Sequence, residues 1–135
     1  MKIVINICFG GFGLSNEAMC FLAKKNCEIL EKHPAKEWLG FSSDLEDKRK
    51  DLGDGFMSMG WFSGTIMKED TVYTFPYEDK YRSHPDLIEV VEKLGDAADG
   101  QCAKLSIIEI PDDIDFYIHE YDGNESINEQ HRSWN

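Results

Sequence analysis

Lys2-Ile3-Val4-Ile5-Asn6-Ile7-Cys8-Phe9-Gly10-Gly11-Phe12-Gly13-Leu14-Ser15 is the stretch on which the fold turns. Ile3, Val4, Ile5 and Ile7 are β-branched and apolar on both faces, so Lys2 to Cys8 reads as a strand buried on both sides. Three glycines between Phe9 and Gly13 cannot continue it; they mark a turn that needs unusual dihedrals or a close backbone approach. Ser15 then suits the N-cap of a helix, with Asn16 and Glu17 in its first turn. Ala18, Phe21, Leu22, Cys27, Ile29 and Leu30 supply its apolar stripe, and His33-Pro34 closes it near Lys32.

Beyond that helix, Asp44 to Asp51 is a charged segment read as an exposed helical turn or mobile loop. Gly53 to Gly64 mixes glycine with Phe56, Met57, Met59, Trp61 and Phe62, as in a flap or a short strand pair. Thr71 to Phe75 reads as a strand. Ser83 or His84 caps a second helix with Pro85 at its first position, Leu87, Ile88, Val90, Val91 and Leu94 on its buried stripe, and Gly95 as its stop. Ala103 to Ile110 and Ile114 to Tyr121 read as strands joined by Pro111-Asp112-Asp113, close enough to predict a hairpin. Asp122-Gly123 turns the chain, and Glu125 to Trp134 reads as a short closing helix.

The fold class expected is therefore α/β in the α+β sense, in the order β-α-(insert)-β-α-β-β-(α). It is a small mixed sheet of about four to five strands with two main helices. Residues 1–135 read as a single domain, near the commonest domain size, with 38–70 a variable insert or flap. No stretch approaches the ~20 apolar residues of a membrane helix, and the N-terminal run turns polar too soon for a signal peptide. A cytoplasmic protein is expected, with no membrane partner.

The balance of 26 acids against 14 bases, formally −12, repels phosphate backbones, so duplex nucleic acid is not an expected partner. Such an acidic surface serves solubility, or imitates DNA toward a basic host protein. Cys8, Cys20, Cys27 and Cys102 form no C-x-x-C pair and read as reduced, mostly buried thiols, with Cys20 and Cys27 on one helix face. No metal site and no cofactor are expected.

Three constellations carry possible chemistry. Gly10-Gly11-Phe12-Gly13 with Ser15 resembles a phosphate-binding turn on a helix N-terminus, but lacks the Walker lysine and the dinucleotide glycine spacing. The other reading is a tight strand-to-helix corner. Arg82 and His84 stand beside the second helix N-terminus, where Arg offers a fork suited to phosphate; the other reading there is capping and a local ion pair. His131, Arg132 and Trp134 form a basic, aromatic C-terminal cluster. His84, His119 and His131 are the acid–base candidates, yet no nucleophile, base and oxyanion donor assemble at a readable spacing, which argues against an enzyme.

The chain resembles a family of small bacteriophage proteins of uncharacterised function. The likeness runs through Lys2–Asn6 and Gly10–Ser15, through Arg82, Asp86-Leu87, Val90-Val91-Glu92 and Ala103-Lys104-Leu105. It closes with Glu109–Asp113, Glu120-Tyr121-Asp122-Gly123 and Glu129–Trp134. It spans both ends of the chain and leaves Trp38 to Asp70 unmatched. Where the family pattern often has a tryptophan soon after the Asp-Gly turn, this chain has Asn124-Glu125-Ser126-Ile127. The resemblance implies an accessory protein acting in the bacterial cytoplasm against host defence. The expected function is non-enzymatic sequestration of a small nucleotide-like anion. The ligand would be held by Gly10, Gly11, Phe12, Gly13, Ser15, Arg82, His84, His131, Arg132 and Trp134, with a homo-oligomer as a possible assembly. Two alternatives stand beside it: a nucleotide-cleaving enzyme, and an acidic module that inhibits a host defence protein by interaction.

Overall fold

The computed structural model of the chain describes residues 1–34, 51–59, 62–76 and 78–129. It is an α+β fold, as the order of patterns implies, but its strands divide into three antiparallel groups instead of one mixed sheet. Strand β1 (Lys2–Asn6) pairs with β7 (Leu105–Glu109), Val4 opposite Ile107. Strands β2 (Glu31–Pro34), β3 (Asp51–Gly53), β4 (Phe56–Met59), β5 (Phe62–Lys68) and β6 (Thr71–Thr74) form a five-stranded sheet in the order β2-β6-β5-β4-β3. Strands β8 (Phe116–Tyr121) and β9 (Asn124–Glu129) form a two-stranded hairpin.

Helix α1 (Asn16–Lys24) begins as expected, with the Ser15 hydroxyl accepting from the Ala18 amide at 3.1 Å. It ends eight residues before Lys32. Asn26 adopts a left-handed backbone at φ 55, its amide bonds to Ala23 O and the Cys27 amide to Leu22 O. Those two bonds are the Schellman arrangement, with asparagine filling the left-handed position that glycine usually takes. Residues 25–30, expected in the helix, form turns instead, Glu31 and Lys32 open β2, and Cys27 leaves the face it was expected to share with Cys20.

Helix α2 (Pro85–Leu94) follows the sequence closely. His84 is its N-cap, Nδ1 accepting from the Asp86 amide at 3.1 Å, and Gly95 ends it at φ 57. The two helices pack on each other and α1 lies across β5. Val4, Leu14, Ala18, Met19, Leu22, Ile66, Phe75, Leu87, Val90 and Ala98 join them in one core.

Two further expectations are corrected. The expected hairpin of β7 with β8 does not form: β7 takes β1 as partner, and β8 pairs with the strand after it. The segment from Asn124 to Glu129 is a strand, not the start of a closing helix. Asp122 and Gly123 both have positive φ, 51 and 89, as a two-residue type I′ hairpin loop requires, and once β8 turns back on itself β9 completes its ladder. Cys8 and Cys102 are exposed, while Cys20 and Cys27 are buried. In the insert, residues 53–59 and 62–64 belong to strands or their turns, which favours the strand pair over a flap; the charged run at 44–50 lies outside the described residues. Among the described residues no helix is long and apolar enough to cross a membrane.

Candidate functional site at the glycine turn

The glycines after β1 are explained first by crowding. Gly10 and Gly11 have φ of 127 and 103, which side-chain-bearing residues rarely adopt. A Cβ on Gly10 would stand 2.7 Å from Cys102 O, and one on Gly100 would stand 2.6 Å from the Gly13 carbonyl carbon. A Cβ on Gly123 would overlap the amide nitrogens of Gly10 and Gly11. Three backbone segments thus press together. Gly10 N donates to Asp122 O at 3.2 Å, Gly100 N to Gly13 O at 2.9 Å, and Ser15 N to Ala98 O at 2.9 Å. The Ser15 hydroxyl also donates to Ala97 O at 2.6 Å. Ser15 and the Gly10 amide are therefore occupied in building the corner.

Asn6, fully buried at the end of β1, locks this junction. Its amide group donates to Cys8 O and Gly123 O, both at 2.7 Å, and its carbonyl accepts from Lys104 N at 2.8 Å. Its backbone amide donates to Glu125 Oε1 at 2.8 Å. Glu125 in turn holds Arg82 with both oxygens, Nη1 to Oε1 at 2.7 Å and Nη2 to Oε2 at 2.8 Å. Arg82 is 3% exposed and lies 3.8 Å above the Phe12 ring, which also stacks with Phe75 at 6.1 Å.

Beside this pair a pocket of about 410 Å³ opens, lined by Gly11, Phe12, Asp79, Arg82, Ile118, Glu120 and Glu125. Gly11 has no heavy atom within 4 Å of where its Cβ would be, so its backbone borders open space. Asp79 Oδ2 accepts from Ile118 N at 3.1 Å and Glu120 Oε1 from Gly123 N at 2.6 Å, which fixes both carboxylates. Two larger clefts beside the helices gather none of the candidate residues.

The structure thus brings Gly11, Phe12 and Arg82 to one pocket, with Gly10 and Gly13 in the turn behind it. His84 is not among the lining residues; it caps α2 and faces Glu28, with Nε2 3.6 Å from Oε1. His131, Arg132 and Trp134 lie outside the described residues. The residues that sequence reasoning missed are Asn6, Asp79, Glu120 and Glu125. Only Glu125 carried a legible signal: the polar–apolar alternation Asn124-Glu125-Ser126-Ile127 after an Asp-Gly pair is a strand pattern. Comparison with family models, with curated proteins and with solved structures gives no match.

Proposed function

We propose that the protein is a non-enzymatic binding module whose pocket beside the glycine turn accepts a basic side chain of a partner protein. The charge of the pocket carries this reading. Arg82, the cation among the described residues that line it, is already held by both oxygens of Glu125, while Asp79 and Glu120 form no ion pair among the described residues. Each has one oxygen bound to a backbone amide, which leaves the other for a donor. A guanidinium or ammonium meets two preset acceptors there, and the overall charge of −12 steers a basic partner toward it. On the resemblance to small phage proteins, that partner is a host defence protein with a basic surface.

A second reading places a nucleotide-like anion in the same pocket. The observation that favours it is that the glycine turn and Arg82 share that pocket. It requires a phosphate to compete with Glu125 for the guanidinium, against two further carboxylates.

Calorimetry separates the two. An arginine-rich peptide is expected to bind, more weakly as salt rises from about 50 mM to about 0.5 M, and to lose affinity in Asp79→Asn and Glu120→Gln. A panel of linear and cyclic nucleotides is expected to give no heat. Nucleotide binding without peptide binding overturns the first reading in favour of the second. Chromatography of the recovered nucleotide then distinguishes storage, with intact ligand, from cleavage.

A further inference from the structure

A second cluster lies away from this pocket, where the end of α1 meets the start of α2. The Schellman turn at Asn26 carries Cys27 into the interior, where it is 4% exposed. His84 and Asp86, at the N-cap and first turn of α2, face it half-buried. One ligand atom from each of Cys27, His84 and Asp86 lies within 4.8 Å of the others. The two Asp86 oxygens divide their tasks: Oδ1 is 3.2 Å from Lys25 Nζ, and Oδ2 is 4.0 Å from His84 Nδ1. On the far side of the imidazole, Nε2 has Glu28 Oε1 at 3.6 Å, on an exposed side chain free to move.

The geometry points to a binding site for a borderline divalent cation of the zinc type, with Cys27 Sγ, a ring nitrogen of His84 and Asp86 Oδ2 as ligands. Thiolate, imidazole and carboxylate together are the donor set such ions select. Metal–ligand bonds of about 2.0–2.3 Å in a tetrahedron put ligand atoms roughly 3.3–3.8 Å apart. The cluster therefore needs a contraction of about 1 Å, within reach of side-chain rotation. Glu28 is placed to supply the fourth ligand or to orient the imidazole through its other nitrogen. Binding transfers the Cys27 thiol proton to solvent as the sulfur–metal bond forms. Among the described residues Lys25, Glu89 and Glu28 are the other charged groups around the cluster, and Lys25 competes for Asp86.

Cobalt(II) is the probe. Added to the reduced, metal-free full chain, it is expected to give a thiolate-to-cobalt charge-transfer band and visible d–d bands at one ion per chain, both displaced by Zn²⁺. Cys27→Ser should abolish the charge-transfer band. His84→Gln should change the d–d bands and weaken binding by at least about tenfold, the lower range for loss of a metal-site partner. Cys8→Ser with Cys102→Ser should leave the spectrum unchanged. Absence of bands in excess cobalt overturns the proposal. So do bands that persist in a folded Cys27→Ser protein, bands that vanish with Cys8 and Cys102, or bands that His84→Gln leaves unaltered. The last outcome decides the matter even where Cys27→Ser does not fold, as circular dichroism reads.

Discussion

Arg82 is accommodated at 3% exposure because Glu125 meets it with two short bonds, Val4 O lies 3.4 Å from Nη1, and the Phe12 face covers the guanidinium plane. Removing one partner leaves the other as an uncompensated buried charge. Glu125→Ala is therefore expected to cost about 3–5 kcal/mol in denaturant unfolding. Combining Arg82→Met with Glu125→Leu should recover much of that but not all, because the Asn6 amide also loses its acceptor. The glycines separate in the same way. Gly11→Ala meets open space and suffers only its left-handed φ, about 1–2 kcal/mol. Gly123→Ala drives a methyl into the Gly10–Gly11 peptide, and its loss in unfolding free energy should be the larger of the two. Equal losses would mean that the corner is looser than its contacts indicate.

At the scale of elements, α1 is anchored at its start by a side chain outside its apolar stripe and closed at its end by backbone bonds. Ser15 caps the first turn and also ties it to Ala97 O. Ser15→Ala should cost about 1 kcal/mol for the cap, with a further loss from the bond to Ala97. A value within error of zero in equilibrium unfolding would show that the capping bond contributes nothing there. The start of α1 was legible because serine before an apolar-periodic run has one physical meaning. Its end was not: Phe21 to Leu30 retains helical spacing, and only Asn26 hints at a left-handed stop. The partner of β8 was likewise hidden. Chain proximity favours β7, but β7 is drawn away by β1, and the Asp-Gly turn gives β8 the strand that follows it.

Across the whole molecule, charged pairs set the pH range of stability. Hydrogen bonding and charge from Lys24 hold Asp54 below the usual carboxylate range, and Lys25 with Lys93 does the same for Glu89. For Asp86, burial pushes upward, but bonds to Lys25 and Cys27 with the Lys25 charge outweigh it. Carboxylates lowered on folding stabilise above their unfolded pKa, about 4, and that contribution disappears as pH falls through the folded values. Burial raises the thiols of Cys20 and Cys27, so their contribution is complete below the ordinary thiol value of 9.0 and is lost as pH rises past it. The denaturation midpoint should form a plateau between about pH 5 and about pH 8.5 and decline on both sides. A midpoint still rising below pH 4 would show that relief of the −12 self-repulsion dominates these pairs.

The sequence by itself determined the local events: β1 from its β-branched run, the break at Gly10 to Gly13, the Ser15 cap, a second cap at Ser83 or His84, the Pro85 start, the Gly95 stop and the Asp122-Gly123 turn. Each depends on dihedral preference or hydrogen bonds within a few residues, so each is written where it acts. What only the tertiary structure decided were the pairings over long separations. These include β1 with β7, Arg82 with Glu125, Gly123 against Gly11, and Cys27 beside His84 and Asp86. Two strands of similar apolar character compete for one partner on equal terms in sequence, and a buried arginine gives no local sign of which acid will meet it. The choice is made by what the assembled core leaves within reach, and in this chain it gives Arg82 to Glu125 at the pocket beside the glycine turn.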